Sequence, residues 1–253
     1  MVEEGDQIRI RRDMKMAIYG LIGLTALCAG VLQGVTGFGA GIVMMMVLPS
    51  FFPLNQAAGV SCAIAILLSL SMFLRYRGHI QVKKVIWPAV LYVAVSSLSI
   101  VFSTTVDQAL MKKVFGVFLI LLSVYYLFFD KKQEKELGLL VSILFIGISG
   151  ACDGLFGIGG PLMVLYFLGQ THSKEEYLGS IQAVFLVNLI YGTIMRTANH
   201  ILTLTHLPYI GVGMACILAG LLAANRIVDR LDGEKIKKIT YVVIGLSGVM
   251  NLL

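Results

Sequence analysis

Gly150-Ala151-Cys152-Asp153-Gly154-Leu155-Phe156-Gly157-Ile158-Gly159-Gly160-Pro161 lies inside an otherwise apolar segment running from about Leu137 to Phe167. Five glycines, an aspartate and a proline in so short a stretch oppose a continuous helix. Each interior glycine costs about 1 kcal/mol relative to alanine, and an interior proline about 3 kcal/mol. In hydrocarbon a broken backbone strands N–H and C=O groups, so irregular chain is tolerated only where protein buries it or a wet cavity receives it. A second interruption, Gly34-Val35-Thr36-Gly37-Phe38-Gly39-Ala40-Gly41, also sits between apolar runs. Two glycine-interrupted segments, one in each half of a chain, point to a binding site between the halves.

The bulk composition agrees with a membrane protein. Of 253 residues, 58% are hydrophobic and only 13% charged, about half the charge of an ordinary soluble domain. The net charge of +6 comes from short basic clusters between apolar runs. That is the pattern of loops flanking membrane spans, not of a basic face for nucleic acid, so no nucleic-acid partner is expected. Cys28, Cys62, Cys152 and Cys216 all lie within apolar segments and have no metal-ligand spacing, so neither disulfides nor a metal site is expected. The polar start, Met1 to Lys15, leads into a long apolar run without a small-residue cleavage site and reads as a retained first membrane segment.

The apolar runs fall at about 17–33, 42–52, 57–74, 85–102, 114–129, 138–151, 161–170, 178–195, 207–224 and 239–253. A helix of 16–18 residues spans about 27 Å of hydrocarbon. The runs at 42–52 and 161–170 are too short to span alone, and each follows a glycine break. The expectation is therefore an all-α polytopic protein: about eight transmembrane helices plus broken or re-entrant half-helices, in a single membrane domain over 1–253. The halves resemble each other. Phe38-Gly39-x-Gly41 pairs with Phe156-Gly157-x-Gly159 at an offset of 118, Arg75 and His79 pair with Arg196 and His200 at 121, and Trp87-Pro88 pairs with Leu207-Pro208 at 120. Such ordered markers indicate an internal duplication, with repeats at about 17–129 and 138–253 joined by the charged loop Asp130–Glu136. Each repeat reads as a glycine-broken segment, a full helix, a polar loop, a Pro-initiated helix and a last helix.

Lys and Arg cluster at 75–84, 130–137 and 225–238. These loops share the cytoplasmic side if each half is a re-entrant hairpin followed by three crossings, which inverts the second half. That arrangement is preferred, although it leaves Arg9, Arg11, Arg12 and Lys15 outside. The competing arrangement is eight parallel-repeat helices with an internal N-terminus and the 225–238 loop outside.

The paired Gly-Phe-Gly-x-Gly motifs, the second followed directly by Pro161, resemble the TauE/SafE (TSUP) family of sulfite and sulfur-anion exporters. The likeness runs from about Ala17 to Leu253. It implies a multi-pass inner (plasma) membrane transporter whose substrates are sulfite, thiosulfate or organosulfonate anions, working without a cofactor. The first copy has Ala40 where a third glycine is common in the family.

Several residues are candidates for the site. Gly37, Phe38, Gly39, Gly41, Gly154, Phe156, Gly157, Gly159 and Gly160 belong to the breaks. The second half of a broken helix, beginning near Ile42 and near Leu162, presents N–H groups and a positive dipole end suited to an oxyanion. Alternatively the glycines serve close helix packing. Asp153 is an intramembrane carboxyl, and such groups mark functional sites. It either carries a coupling proton or caps a half-helix starting at Gly154. Arg75, His79, Arg196 and His200 form either an anion vestibule or an interfacial, snorkelling belt. Asn188 shares a helix face with Tyr191 and reads as an interhelix hydrogen-bonding group or a substrate contact, and Gln182 reads alike. Ser61 and Ser180 stand near the start of matching helices. Cys62, Cys152 and Met44–Met46 read as core filling, with sulfur contacts to substrate or soft metal as the alternative.

The expected activity is secondary transport of a small anion, in the export direction that the resemblance implies, driven by protons or by the substrate gradient. A channel or uptake system for another anion or a cation is the alternative. An enzyme is not expected: the chain has no Walker glycine–lysine loop and no clustered acids, histidines or serine–base pair at membrane depth. The expected partners are the anion and the bilayer, with homo-oligomerisation left open.

Overall fold

The computed structural model describes residues 2–129 and 138–227, together with Gly245, Gly248 and Val249. The described residues form an all-α polytopic membrane protein. In order, the helices are α1 (Val2–Thr36), α2 (Ala40–Val47), α3 (Leu54–Tyr76), α4 (Val82–Ser103), α5 (Gln108–Phe129), α6 (Leu139–Phe156), α7 (Gly160–Gln170), α8 (Lys174–Ala198) and α9 (Leu207–Ile227). Seven helical stretches among the described residues are long and apolar enough to cross a bilayer, and α2 and α7 are short. Most of the run expected at 239–253, the charged joint at 130–136 and most of the basic cluster at 225–238 lie outside the described residues, so the expected eighth span and the orientation are not decided by them.

Backbone conformation ends the helices where the glycines stand. Gly37 and Gly39 have φ of 84° and 103°, and Gly157 has φ of 67°. This left-handed region is costly for residues with a Cβ. Gly37 N donates to Gln33 O at 2.7 Å, and Gly157 N donates to Asp153 O at 2.8 Å, so both helices close in the same way. The two glycines that close their helices alike, Gly37 and Gly157, stand 120 residues apart, whereas the Phe-Gly-x-Gly strings stand 118 apart. The second helices also begin two residues earlier than the sequence suggests, at Ala40 and Gly160. Pro161 occupies the first turn of α7, where its missing N–H costs nothing. Pro88 does not initiate a helix: α4 begins at Val82, and Pro88 is buried inside it.

Sequence-local caps start α8. Ser173 accepts from Glu176 N at 3.1 Å, with Glu175 and Glu176 in the positively polarised first turn. Glu176 in turn accepts from His172 N at 3.0 Å and from Lys84 Nζ at 3.3 Å, while Lys84 Nζ also donates to Gln170 O at 2.9 Å. This cluster ties the start of α4 to the α7–α8 turn. A partly exposed ion pair with one added backbone bond contributes about 1 kcal/mol. Lys84→Ala is expected to lower the thermal midpoint of the purified protein by a few degrees and leave transport at saturating substrate unchanged.

Helix packing crosses between the halves. α1 lies against α9, α6 against α4, and α3 against α8. Small residues permit the close approaches. A Cβ on Gly30 would strike the Ile217 carbonyl, and one on Gly150 would come 2.8 Å from the Tyr92 carbonyl. α3 is the most enclosed span, with Ile64 and Leu68 fully buried. Leu98 on α4, Leu121 on α5, Leu140 on α6 and Ile194 on α8 face outward, as an acyl-chain environment requires.

Candidate functional site

The two breaks meet at the centre of the bundle. A Cβ on Gly41 would come 2.5 Å from the Gly157 carbonyl, so the first turn of α2 touches the turn after α6. At the second break the chain folds back along α6, because Ser149 Oγ donates to the Gly159 carbonyl. Beside this contact lies a cavity of about 50 Å³, bounded by Gly39, Gly41, Ile42, Gly157, Gly159 and Gly160 from the breaks, by α3 (Ser61, Cys62, Ser69) and by Gln33, Asp153 and Asn188. By the measure in which one water takes at least about 10–15 Å³, it admits three to five water-sized atoms.

Two amides hold the first break. Gln33 Oε1 accepts from Ala40 N at 3.1 Å and satisfies one orphan donor of α2. Gln182 Nε2 donates to Gly37 O at 2.6 Å, and Gln33 Nε2 faces Gln182 Oε1 at 3.4 Å. The N-caps of α2 and α7 are Gly39 and Gly159, which have no side chain to cover the helix ends. Gln33 escaped the sequence reading. Its signal is an amide four residues before the terminating glycine, at the position that Asp153 holds in the second half.

Asp153 is 6% exposed and sits within α6, one turn before its end. It therefore does not cap a half-helix starting at Gly154, because the helix continues through Gly154 to Phe156. Its Oδ2 accepts from Asn188 Nδ2 at 2.5 Å and from Ser96 Oγ at 3.3 Å, and the Tyr92 hydroxyl also bonds the carboxyl. Arg196 supplies the neighbouring positive charge. Its side chain is neither interfacial nor in an open vestibule, since Arg196 is 1% exposed. Arg196 Nη2 donates to the Asp153 and Gly154 carbonyls, both at 3.0 Å. A guanidinium at a helix C-terminus satisfies orphan carbonyls and meets the negative dipole end.

The remaining candidates lie elsewhere. Arg75 is exposed, donates to Asn225 Oδ1 at 2.5 Å and stacks over Tyr76. It borders a separate cavity of about 330 Å³ between α1, α3 and α9. His79 and His200 are exposed, and His200 has φ of 57°. Gly37, Phe38, Gly154 and Phe156 stand behind the central cavity. Gly37 abuts Tyr177 and Leu178, Phe38 lies against Gly160, Gly154 packs on Ser96 and Ser99 of α4, and Phe156 stacks near Phe115 and Phe118. Ser180 Oγ is buried without a partner, as are Ser61 Oγ, Ser69 Oγ, Asn188 Oδ1 and Arg196 Nη1. Three of these atoms belong to cavity-lining residues. No group of three or more potential metal-ligating side chains occurs among the described residues.

The arrangement can receive a small polar solute through backbone N–H groups at two helix starts, two serine hydroxyls and one amide, with a carboxyl alongside. A family model described as sulfite exporter TauE/SafE matches residues 22–251. A probable membrane transporter protein of Methanocaldococcus jannaschii is 25% identical over 260 residues, covering 94% of this chain and 95% of its own. A probable membrane transporter protein of a Sinorhizobium species is 23% identical over 259 residues, covering 96% and 95%. No solved structure matches the chain.

Proposed function

This chain belongs to the sulfite exporter TauE/SafE family of membrane transporters, and from that premise we propose that it exports a small sulfur oxyanion across the cell (plasma) membrane, coupled to protons. Sulfite and thiosulfate are favoured over sulfoacetate and taurine. The observation that carries this reading is the central cavity, whose size suits about three to five non-hydrogen atoms and whose walls include the first turns of α2 and α7. The unpartnered hydroxyls of Ser61 and Ser69 supply further donors. The spacing of 120 residues between the positive-φ glycines Gly37 and Gly157 supports an internal duplication, as does the reciprocal packing of α1 on α9 and α6 on α4, the pattern two inverted, re-entrant halves would give.

A thermal-shift series on purified protein tests the substrate. Sulfite and thiosulfate are expected to raise the midpoint, because a ligand at a hundredfold excess over its Kd stabilises the folded state by about 2.7 kcal/mol. Taurine and sulfoacetate are expected to give smaller shifts. One observation favours a second reading: Asp153 lines the cavity, and a carboxylate suits a cation. A shift with sodium or potassium, and none with any oxyanion, would overturn the anion assignment. Uptake into inside-out vesicles with and without a pH gradient tests direction and coupling.

A further inference from the structure

We propose that Asn188 reads the protonation state of Asp153 and reverses the polarity it offers to the cavity, so that one proton and one anion bind together. This deepens the anion reading above and rests on it. The geometry is specific. Asn188 Nδ2 donates to Asp153 Oδ2 at 2.5 Å, which turns Asn188 Oδ1 the other way. That oxygen is buried, has no partner, and belongs to a residue lining the cavity. Leaving a buried acceptor unpaired is unfavourable, and the oxygen repels an oxyanion.

The other groups at the carboxyl adapt without moving their heavy atoms. Ser96 and Tyr92 on α4 carry hydroxyls that donate or accept by rotating a hydrogen. Arg196 on α8 always donates, and it is engaged with backbone carbonyls. Cys62 on α3 and Cys152 on α6 are the other titratable groups in the field of the carboxyl. An amide has a fixed donor end and a fixed acceptor end. While Asp153 is a carboxylate, Asn188 must give it the NH₂ end and show the cavity its oxygen. Once Asp153 takes up a proton, its O–H needs an acceptor. Turning the amide over supplies Oδ1 to that O–H and aims the NH₂ group at the cavity. Protonation thus removes a negative charge and converts an acceptor into a donor where an anion arrives. The cavity's acid occurs once, because Gln33 holds the corresponding place in the first half, so a single proton is linked.

The test uses purified full-length protein and methanesulfonate, whose charge is constant from mildly acidic to mildly alkaline conditions, with thiosulfate as a second probe. Binding in weakly buffered solution is expected to take up about one proton, and affinity is expected to fall toward tenfold per pH unit on the alkaline side. Asp153→Asn is expected to bind with no proton uptake and a flat pH profile. Asn188→Leu is expected to fold, to bind at acidic pH no more tightly than the wild type does at alkaline pH, and to lose most of the slope. Wild-type binding without proton uptake would overturn the coupling while leaving the anion site intact. A full slope in Asn188→Leu would overturn the role of the amide and assign the linkage to charge alone. If the wild type binds no anion at any pH, the anion reading falls and this proposal with it.

Discussion

Arg196→Leu is expected to yield little folded protein, while Arg75→Leu, at the matching place in the first half, is expected to behave almost as the wild type. Arg196 is buried and bridges two carbonyls at the end of α6. Removing it strands the Gly154 carbonyl and deprives the Asp153 carboxyl of its neighbouring positive charge. Breaking a buried, hydrogen-bonded ionic arrangement costs about 3–5 kcal/mol. That approaches the whole stability of many domains. Arg196→Lys is expected to recover only part of the loss, because an ammonium lacks the planar fork that spans neighbouring acceptors. Arg75 is exposed, and its bond to Asn225 contributes about 0–1 kcal/mol. The measurement is the yield of monodisperse protein and its thermal midpoint. Equal midpoints for the two leucine variants would refute the capping role.

Gly159→Leu is expected to abolish transport while the protein still inserts. A Cβ at this position would overlap the Tyr92 hydroxyl and lie 2.8 Å from Asp153 Cβ. A side chain there must displace Tyr92 from the carboxyl or push α7 away from α6, and either movement destroys the cavity wall. A loss of at least about a hundredfold in transport rate is expected, in keeping with displacements of an ångström at a binding site. Gly147→Leu, on the adjoining α6, is the control: nothing lies within 4 Å of its added Cβ, and open sites usually change stability by no more than about 0.5 kcal/mol. Uptake into inside-out vesicles, normalised to inserted protein, compares the two. Equal activity would remove Gly159 from the site.

The helical class and the two interruptions were legible in the sequence because glycine and proline act through local backbone energetics, which needs no knowledge of neighbours. Their phase was not legible. The repeated Phe-Gly-x-Gly string sets Phe38 against Phe156, whereas the helix-ending positive φ values fall at Gly37 and Gly157. Sequence reasoning also put Arg196 beside Arg75, since both end long apolar helices. Only the packing of α8 against α4 and α3 distinguishes them. Asp153 was recognisable as an unusual charge, but its partners Tyr92 and Ser96 come from a helix some 60 positions earlier. Nothing local marks Ser69 or Gln33 as cavity residues, for each is a single polar group in an apolar run.

The packing of α1 on α9 has a consequence during synthesis. α1 emerges from the ribosome well before α9, the helix that covers Gly30. Through most of translation that stripe faces lipid or a chaperone, and the nascent chain has no finished half to rest on. A truncation after α5 is therefore an orphan for membrane quality control, and supplying the missing remainder as a separate polypeptide gives α1 its companion in trans.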